Sequence, residues 1–546
     1  MIAHAGAGLR GALPAFALAS FILFVFTLYL NGKVLKTLLC GAGRSAWSAL
    51  VLVFVSALML RLFIPWHHHV VYVDEAWYME AAKNILRSMS AGDYPKEIGW
   101  PFILSMVFGV FGVAGSTAIY ATVVIGALTS VSVFLLAYVF TGKKEPALAA
   151  SLLFSLFPAH IRYSACAESN AASLFFVTLT LTFCGLYYRE KTNAMIWLAA
   201  AALGFTAQIR PENYAFPALF LAGCAVYSGG NMKAKMLSLK FLAPLVVAAL
   251  LSLPNLLQVL DFKLSVNWIE SDTFGKMTGS NWSFSNFVNN SAVYGVNLFN
   301  GRFQPVFVAA AAAVGAVRAA AKRRRDFLFL ALWFCLMWTA CFTSWFQTLA
   351  GRERFYTSFY PITAIFAAWG IEAAARGIAA AAGKSRLEPA AFALLTALAV
   401  AAFIPYAGGI KPSNPAMHMD NARRLETKIP ETAERDLPAD CIIVAVRPVI
   451  LRATTDLKVV DARDFLRDGD FRDGLFEAGG CLLFFQDMTC MPQSPARRDC
   501  AETMNAFRLT PYRSYREKDV EFGFLRMSGE TGAPGGKKAG AYGTSP

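Results

Sequence analysis

The sequence predicts an α-helical polytopic membrane protein of about twelve transmembrane helices, with a small C-terminal extracytoplasmic α/β domain. Three observations predict it. The 546 residues are 56% apolar and only 16% charged, whereas a soluble chain is about a quarter charged. Apolar runs of about 20 residues recur along most of the length, enough to cross a hydrocarbon core of about 30 Å. Beyond Lys411 the composition changes, with dense charge and short β-rich runs. Such a chain is no cytosolic enzyme, secreted globule or nucleic-acid reader. The net charge of +14 does not reverse that, because much of the excess sits in short loops, where Lys and Arg set orientation.

The first four spans fall at Leu13–Leu30, Ala46–Pro65, Ser116–Thr141 and Pro146–His160. Four more fall at Ser173–Tyr188, Ala194–Gln208, Tyr214–Tyr227 and Leu239–Leu260. The last four are Pro305–Ala321, Phe327–Thr348, Tyr356–Ala375 and Pro389–Tyr406. Pro146–His160 is the weak member, since at 1.5 Å per residue it reaches only about 22 Å. Its existence matters for sidedness. Alternate loops carry Lys33, Lys36 and Arg44, then Lys143 and Lys144, then Arg189 and Lys191. Further along come Lys233 and Lys235, the run Lys322–Arg325, and Arg376, Lys384 and Arg386. All lie on one side only if the fourth span is real, and the positive-inside rule makes that side cytoplasmic. The Lys322–Arg325 run is then a topogenic anchor, with a lipid-binding patch as the other reading. Leu13–Leu30 is long, no small-x-small site follows it, and its cleavage would put the basic loops outside. It is therefore expected to be a retained span and not a signal peptide.

This organisation gives an N-terminal helix and cytoplasmic loop over 1–45 and a transmembrane domain over 46–410. Outer loops are expected at 66–115 and 261–304, an α/β domain at 411–527 and a disordered tail at 528–546. In the α/β domain, strands are expected at Cys441–Val446, Lys458–Asp461 and Cys481–Gln486, with a helix over Arg463–Phe476. Cys441, Cys481, Cys490 and Cys500 all fall there. On an oxidising face they would permit two disulfides, in any of three connectivities, with free thiols as the other reading. Their spacing is not a zinc pattern.

Charges beside spans need a reason, because burying an unpaired one costs several kcal/mol. The first outer loop holds His67–His69, then Asp74-Glu75-Ala76-Trp77-Tyr78, and later Lys96-Glu97-Ile98-Gly99-Trp100-Pro101. Asp74 alone reads as a helix N-cap. Three adjacent His cannot all face one ion on a regular element, so His67–His69 reads as a solvated cluster. Phe102–Phe111 is apolar but too short to span, which predicts an interfacial helix. Other outer turns carry Arg162, Tyr163 and Glu168, then Arg210-Pro211-Glu212, then Arg352-Glu353-Arg354-Phe355-Tyr356. Each alone is an interfacial anchor, with Arg snorkelling and Tyr at headgroup level. Several on the side opposite the topogenic charges point to an anionic ligand such as a phosphate.

Taken in order and by side, these motifs resemble the GT-C superfamily of membrane glycosyltransferases, in particular the bacterial branch related to protein O-mannosyltransferases and the lipid A aminoarabinose transferase. The resemblance runs from about Ala46 to Tyr406 and rests on five features. These are Asp74-Glu75-Ala-x-Tyr78, Gly99-x-Pro101 with the apolar run to Phe111-Gly112, Phe157-Pro158 with Arg162-Tyr163-Ser164, Arg210-Pro211, and Arg352–Tyr356 with Pro361. It departs where some relatives have Lys-Pro-Pro or His-Pro-Pro-Gly and this chain has Lys96-Glu97-Ile98-Gly99.

The resemblance implies transfer of a sugar from a polyprenyl-phosphate carrier to an acceptor hydroxyl of a protein, lipid or polysaccharide. The reaction would lie at the outer face of a bacterial cytoplasmic (inner) membrane, with the C-terminal domain on the same side. By resemblance the carboxylate that deprotonates or orients the acceptor is Asp74, with Glu75 a supporting or metal-linked partner. Such chemistry needs a general base and cationic stabilisation of the departing phosphate. The cations would be Arg352 and Arg354, then Arg210 and Lys96. Glu97, Arg162, Tyr163, Glu168, Glu212 and Tyr356 are further site candidates. Some relatives use a divalent metal and others none, so no cofactor is fixed. A secondary transporter also fits the span count, but transporters show internal repeats, and the two halves of this chain show no such similarity. A non-catalytic scaffold whose outer domain docks a partner is the remaining reading.

Overall fold

Backbone N–H and C=O groups find no water in a hydrocarbon core, so apolar spans must satisfy them internally as helices. A computed structural model describes residues 2–63, 73–92, 94, 96–228, 238–265, 284–295, 298, 304–342, 356–407, 425–426, 428–430, 432–477, 480–491, 494, 497–518 and 520–530. It divides into two compact units, Met1–His68 with Ala81–Pro412 and His69–Glu80 with Ser413–Pro546.

The helices begin with α1 (Ile2–Leu30), α2 (Gly32–Gly41), α3 (Arg44–Phe63) and α4 (Val73–Ser88). Next come α5 (Gly99–Phe111), α6 (Gly115–Thr141), α7 (Lys144–Ser155), α8 (Pro158–Tyr163) and α9 (Ser169–Glu190). They continue with α10 (Asn193–Ala207), α11 (Phe216–Ser228) and α12 (Leu239–Ser265). The last of the first unit taken up here are α13 (Val306–Lys322), α14 (Arg324–Phe342), α15 (Tyr360–Ala381) and α16 (Glu388–Ala401). Among the described residues, seven helices are long and apolar enough to cross a membrane: α1, α3, α6, α9, α12, α15 and α16. The other five expected spans are present as α7, α10, α11, α13 and α14, of 12, 15, 13, 17 and 19 residues.

The fourth span differs from the single run expected over Pro146–His160. At 12 residues, α7 is only about 18 Å long, and the chain breaks at Leu156-Phe157 before α8 opens with Pro158 at its first position. Proline has no N–H to continue a helix but suits a first turn. The second outer loop also starts later than expected, because α12 runs on to Ser265.

One crossing depends on two glycines. A Cβ at Gly315 of α13 would overlap the Phe366 carbonyl of α15, and one at Gly370 of α15 would overlap the Ala311 carbonyl of α13. Small residues permit this backbone approach, which drives helix association in lipid. The end of the bundle with the Lys143–Glu372 ion pair (2.8 Å) also carries Arg323, which donates to the Phe140 carbonyl at 3.1 Å.

The second unit holds a five-stranded sheet in the order β2-β1-β3-β5-β4. Its strands are β1 (Ile442–Ala445), β2 (Lys458–Asp461), β3 (Leu482–Gln486), β4 (Phe507–Glu517) and β5 (Val520–Glu530). β1 is parallel to β2 and β3, while β5 is antiparallel to β3 and β4. Two apolar clusters form its core. One is built on Ile443, Leu483, Phe485 and Phe524, the other on Val444, Phe484, Phe465 and Phe507. The helix expected over Arg463–Phe476 is two helices, Ala462–Arg467 and Gly469–Glu477, parted at Asp468. The β4–β5 hairpin lay hidden behind Pro511 and its many charges. It also takes in Ser528–Glu530, expected as tail; the rest of the tail lies outside the described residues. Cys441 bonds Cys481, and Cys490 bonds Cys500.

Replacing Gly370 by Leu should force α13 and α15 apart, at the upper end of overpacking costs, about 3 kcal/mol. Thermal unfolding in detergent reads this directly; a Gly370→Leu protein as stable as the parent would refute the crossing.

Candidate functional site

The Tyr94–Trp100 segment is short and irregular, so its backbone must be satisfied from outside. At one end Gln258 of α12 donates its Nε2 to the Tyr94 carbonyl at 2.5 Å. At the other end the Gly99 N–H donates to the Gln208 carbonyl at 2.7 Å. Only glycine fits at that contact, because a Cβ on Gly99 would lie 2.7 Å from the Gln208 oxygen. One residue on, the Trp100 indole donates to the Ala167 carbonyl at 3.0 Å. Three chain segments far apart in sequence are thereby fastened to this one.

The Gln208–Asn213 turn supplies the charges. Pro211 holds Arg210 extended, at φ −152° and ψ 150°, and opens the 3-10 turn Pro211–Ala215. The Arg210 Nε donates to the Glu212 carboxylate at 2.5 Å, and its Nη1 donates to the Ser169 hydroxyl at 3.2 Å. Asn213 donates its Nδ2 to the Ser173 hydroxyl at 3.0 Å and to the Thr206 carbonyl at 2.9 Å. Tyr214 donates to the Asn255 side chain at 3.1 Å. Burial pushes the Glu97 carboxyl above the usual glutamate range. The Glu212 carboxylate adds to that rise, while Arg210 and Lys96 oppose it. Lys96, Glu97, Arg210 and Glu212 are thus one electrostatic group.

A small polar cavity lies beside this turn. Arg210, Glu212, Asn170, Ser173, Trp333 and Thr357 are among its lining residues. The Asn170 Nδ2 and the Trp333 Nε1 are buried without a hydrogen-bond partner among the described residues. Both are donors, and Arg210 adds a cation beside them. Leaving such donors unmet costs about 1–3 kcal/mol each, so the cavity is suited to an oxygen-bearing group. Thr357, which lines this cavity, directly follows the expected Arg352–Tyr356 motif, whose last residue Tyr356 is buried. Arg352, Glu353 and Arg354 themselves lie outside the described residues, as do His67–His69.

The remaining candidates are placed separately. Asp74 and Glu75 sit in the first turn of α4, inside the helix and not at an N-cap before it. A carboxylate there complements the helix dipole. Glu75 is fully buried. Both belong to the segment grouped with the second unit, whereas Lys96, Glu97 and Arg210 belong to the first. Arg162, on α8, has its guanidinium 5.8 Å from the centre of the Tyr163 ring. Glu168 is buried at the start of α9.

Sequence reasoning missed Arg61, although a charge inside an apolar span is itself a signal. Arg61 is fully buried in α3. Its Nη1 donates to the Ala57 carbonyl at 2.8 Å, and its Nη2 stands 2.6 Å from the His160 Nδ1. Because a guanidinium can only donate, that histidine nitrogen accepts and the ring proton sits on Nε2. The pair anchors α8, and with it Arg162, to α3. Asn170, Asn213 and Trp333 were also missed, as polar or aromatic residues with no distinguishing pattern. Among the described residues no group of three or more His, Cys, Asp or Glu side chains could hold a metal ion.

The Glu97 shift has a signed consequence. Its folded carboxyl holds a proton more tightly than the unfolded one, so stability falls as pH rises from about 4.3 through the raised value. In Glu97→Gln that part of the slope should vanish. Unfolding temperatures between pH 4 and 8 measure it, and parallel profiles for the two proteins would contradict the assignment.

No family model matches the sequence. An uncharacterized protein of Aquifex aeolicus (strain VF5) is 29% identical over 185 residues, which is 31% of this chain and 36% of that protein. The match therefore spans little more than a third of the relative's length. Among solved structures, ArnT from Cupriavidus metallidurans bound to undecaprenyl phosphate superposes with a TM-score of 0.58 and 14% identity, over 89% of this chain and 98% of that one. ArnT in the apo state gives 0.58 over 88% and 98%. The Archaeoglobus fulgidus oligosaccharyltransferase, in complex with Zn and sulfate, gives 0.52 and 14% identity over 87% and 72%. Identity this low shows a shared fold alone: the chain is a polytopic membrane protein of GT-C-like fold with a small C-terminal sheet domain.

Proposed function

We propose that the protein is an integral-membrane glycosyltransferase. It would move a sugar from a polyprenyl-phosphate carrier to an acceptor hydroxyl of a protein, lipid or polysaccharide. The observation that carries this reading is the cavity beside Arg210, where unmet donors of Asn170 and Trp333 converge with a cation on a GT-C-like frame. The cavity has room for about one oxygen atom (about 10 Å³), so its donor set answers a single phosphate oxygen of the lipid-linked donor and not a whole sugar phosphate.

In the proposed reaction the Asp74 carboxylate takes the acceptor's hydroxyl proton. The acceptor oxygen bonds to the anomeric carbon as the bond from that carbon to the lipid phosphate oxygen breaks. The departing phosphate keeps the electron pair, and Arg352 and Arg354, assisted by Arg210 and Lys96, stabilise its charge. Glu75, buried next to Asp74 in the chain, would hold the first turn of α4 in place. The site and the sheet domain are assigned to the outer face of the cytoplasmic membrane. Two disulfides in that domain suit an oxidising compartment, and the short basic loops suit the opposite side.

Purified protein incubated with radiolabelled polyprenyl-phosphate sugars should transfer or release label. Asp74→Asn should lose at least about 10²-fold, the contribution of a general base, with its unfolding temperature unchanged. Arg354→Ala should lose about 10²–10³-fold, as when one transition-state donor is removed. Equal turnover by wild type and Asp74→Asn would sink the assignment of the base. For orientation, peptide mapping of protein from alkylated cells should recover the pairs Cys441–Cys481 and Cys490–Cys500. Recovery of all four as free thiols would place the domain on the reducing side.

A further inference from the structure

The N-terminal helix α1 precedes the spans that carry the GT-C resemblance, yet it reaches the site. Just past its C-terminal end, Asn31 donates its Nδ2 to the Ala194 carbonyl at 2.9 Å. Its middle packs by aromatic contacts, with Phe21 5.3 Å from Phe205 and 6.0 Å from Phe102 of α5 between ring centres. Directly before Phe21 lies Ser20, buried to 2% exposure. Its hydroxyl accepts a hydrogen bond from the Gln208 Nε2 at 2.7 Å. Gln208 is fully buried, and its Nε2 also donates to the Gly204 carbonyl at 3.1 Å. Its own backbone carbonyl is the acceptor that holds Gly99, and two residues on is Arg210.

We propose that Ser20 and Gln208 are positioning residues, through which α1 sets the spacing between the Lys96-Glu97 segment and the Arg210–Glu212 pair. The inference rests on the proposed function only for its effect on transfer; the clamp itself can be measured without it. The reason for a hydrogen bond here is directional. Aromatic packing fixes how close α1 lies but tolerates sliding, whereas a buried donor–acceptor pair in a low dielectric fixes one register. The Gln208 side chain is tied at two points, to α1 and to its own helix, so its backbone carbonyl is presented to Gly99 at a fixed angle. Loosening it would shift Glu97 relative to Arg210, and a misplacement of about 1 Å at a reacting site costs up to about 10²-fold.

The test compares wild type with Ser20→Ala, Ser20→Thr and Gln208→Leu in full-length protein in detergent. Hydrogen–deuterium exchange at the Gly99 amide is read alongside the unfolding temperature and transfer from polyprenyl-phosphate sugar. Ser20→Ala should speed Gly99 exchange about fivefold to tenfold, the loss expected for one buried hydrogen bond. Transfer should fall through kcat more than through KM, with little change in unfolding temperature. Ser20→Thr, which keeps the hydroxyl, should restore both. Unchanged Gly99 exchange in Ser20→Ala and Gln208→Leu overturns the proposal. So does a loss that Ser20→Thr fails to rescue, since that would mark simple packing. If wild type turns over no such donor but the exchange rates move as stated, the glycosyltransferase reading falls and the clamp stands.

Discussion

The hydrogen bond from the Gly99 amide to the Gln208 carbonyl is the contact on which the candidate site depends. It joins two turns more than a hundred residues apart, with both residues buried in the protein, where an unmet backbone group would be costly. Its geometry admits no side chain at Gly99, so the sequence there is fixed by backbone approach and not by chemistry. Neighbouring contacts follow the same logic. The Trp100 indole and the Gln258 amide each meet a carbonyl that an irregular segment would otherwise leave bare. With the turn backbones satisfied on one another, side-chain donors such as those of Asn170 and Trp333 are left to face the cavity.

Charge is handled differently at the two ends of the first unit. Near Lys143 the pairs run through Glu372, Arg376 and Glu388 on partly exposed side chains. Solvent screening makes such pairs worth at most about 1 kcal/mol each, so their value is orientation more than stability. At the candidate site the Arg210 and Glu212 side chains are only 11% and 16% exposed, and screening is weaker. There a second carboxylate, Glu97, is buried and ionises less readily than it would in water, with Glu212 adding to that resistance and Arg210 and Lys96 opposing it. Arg61 shows the third solution. This buried cation donates to two carbonyls, of Ala57 and Ser155, and stands against the His160 imidazole, so that backbone and ring acceptors take up part of its hydrogen-bonding capacity inside the span.

Hydropathy and charge parity made the helices legible, because a span must be apolar over a fixed length and its flanking charges are set by insertion. The turns rich in Arg, Glu and Pro were legible for the converse reason, since charge beside a span is costly and so has to be explained. What was not legible depends on tertiary pairing. Nothing in the local sequence says that Gly99 meets Gln208, that Ser20 meets the same residue, or that Cys441 pairs with Cys481 and not with Cys490. The β4–β5 hairpin failed for a different reason. Its strand β4 carries Pro511 and several arginines, a composition that protects an edge strand from further pairing but also erases the alternation by which strands are recognised. The break between α7 and α8 was missed: the span was read through Pro158 to His160, and the shortness of α7 was legible only as a weak span.

The sheet domain poses a problem that its cysteines solve. Parallel strands need long crossovers and pair late, because loop closure must be met before the contacts form. Here β1 and β2 have only four residues each and β3 five, so little is gained per strand. The Cys441–Cys481 bond fastens the starts of β1 and β3, whose Cα atoms stand 4.4 Å apart across a separation of 40 residues. A link of that span removes about 2–4 kcal/mol of unfolded-state freedom, comparable to what such short strands lack. Cys490–Cys500 then ties the turn after β3 to the helix Arg497–Ala506 that leads into β4. A short parallel sheet of this kind is stable where thiols are oxidised and marginal where they are not. The domain's construction is thus compatible with the outer-face placement proposed for it, by a physical route independent of charge.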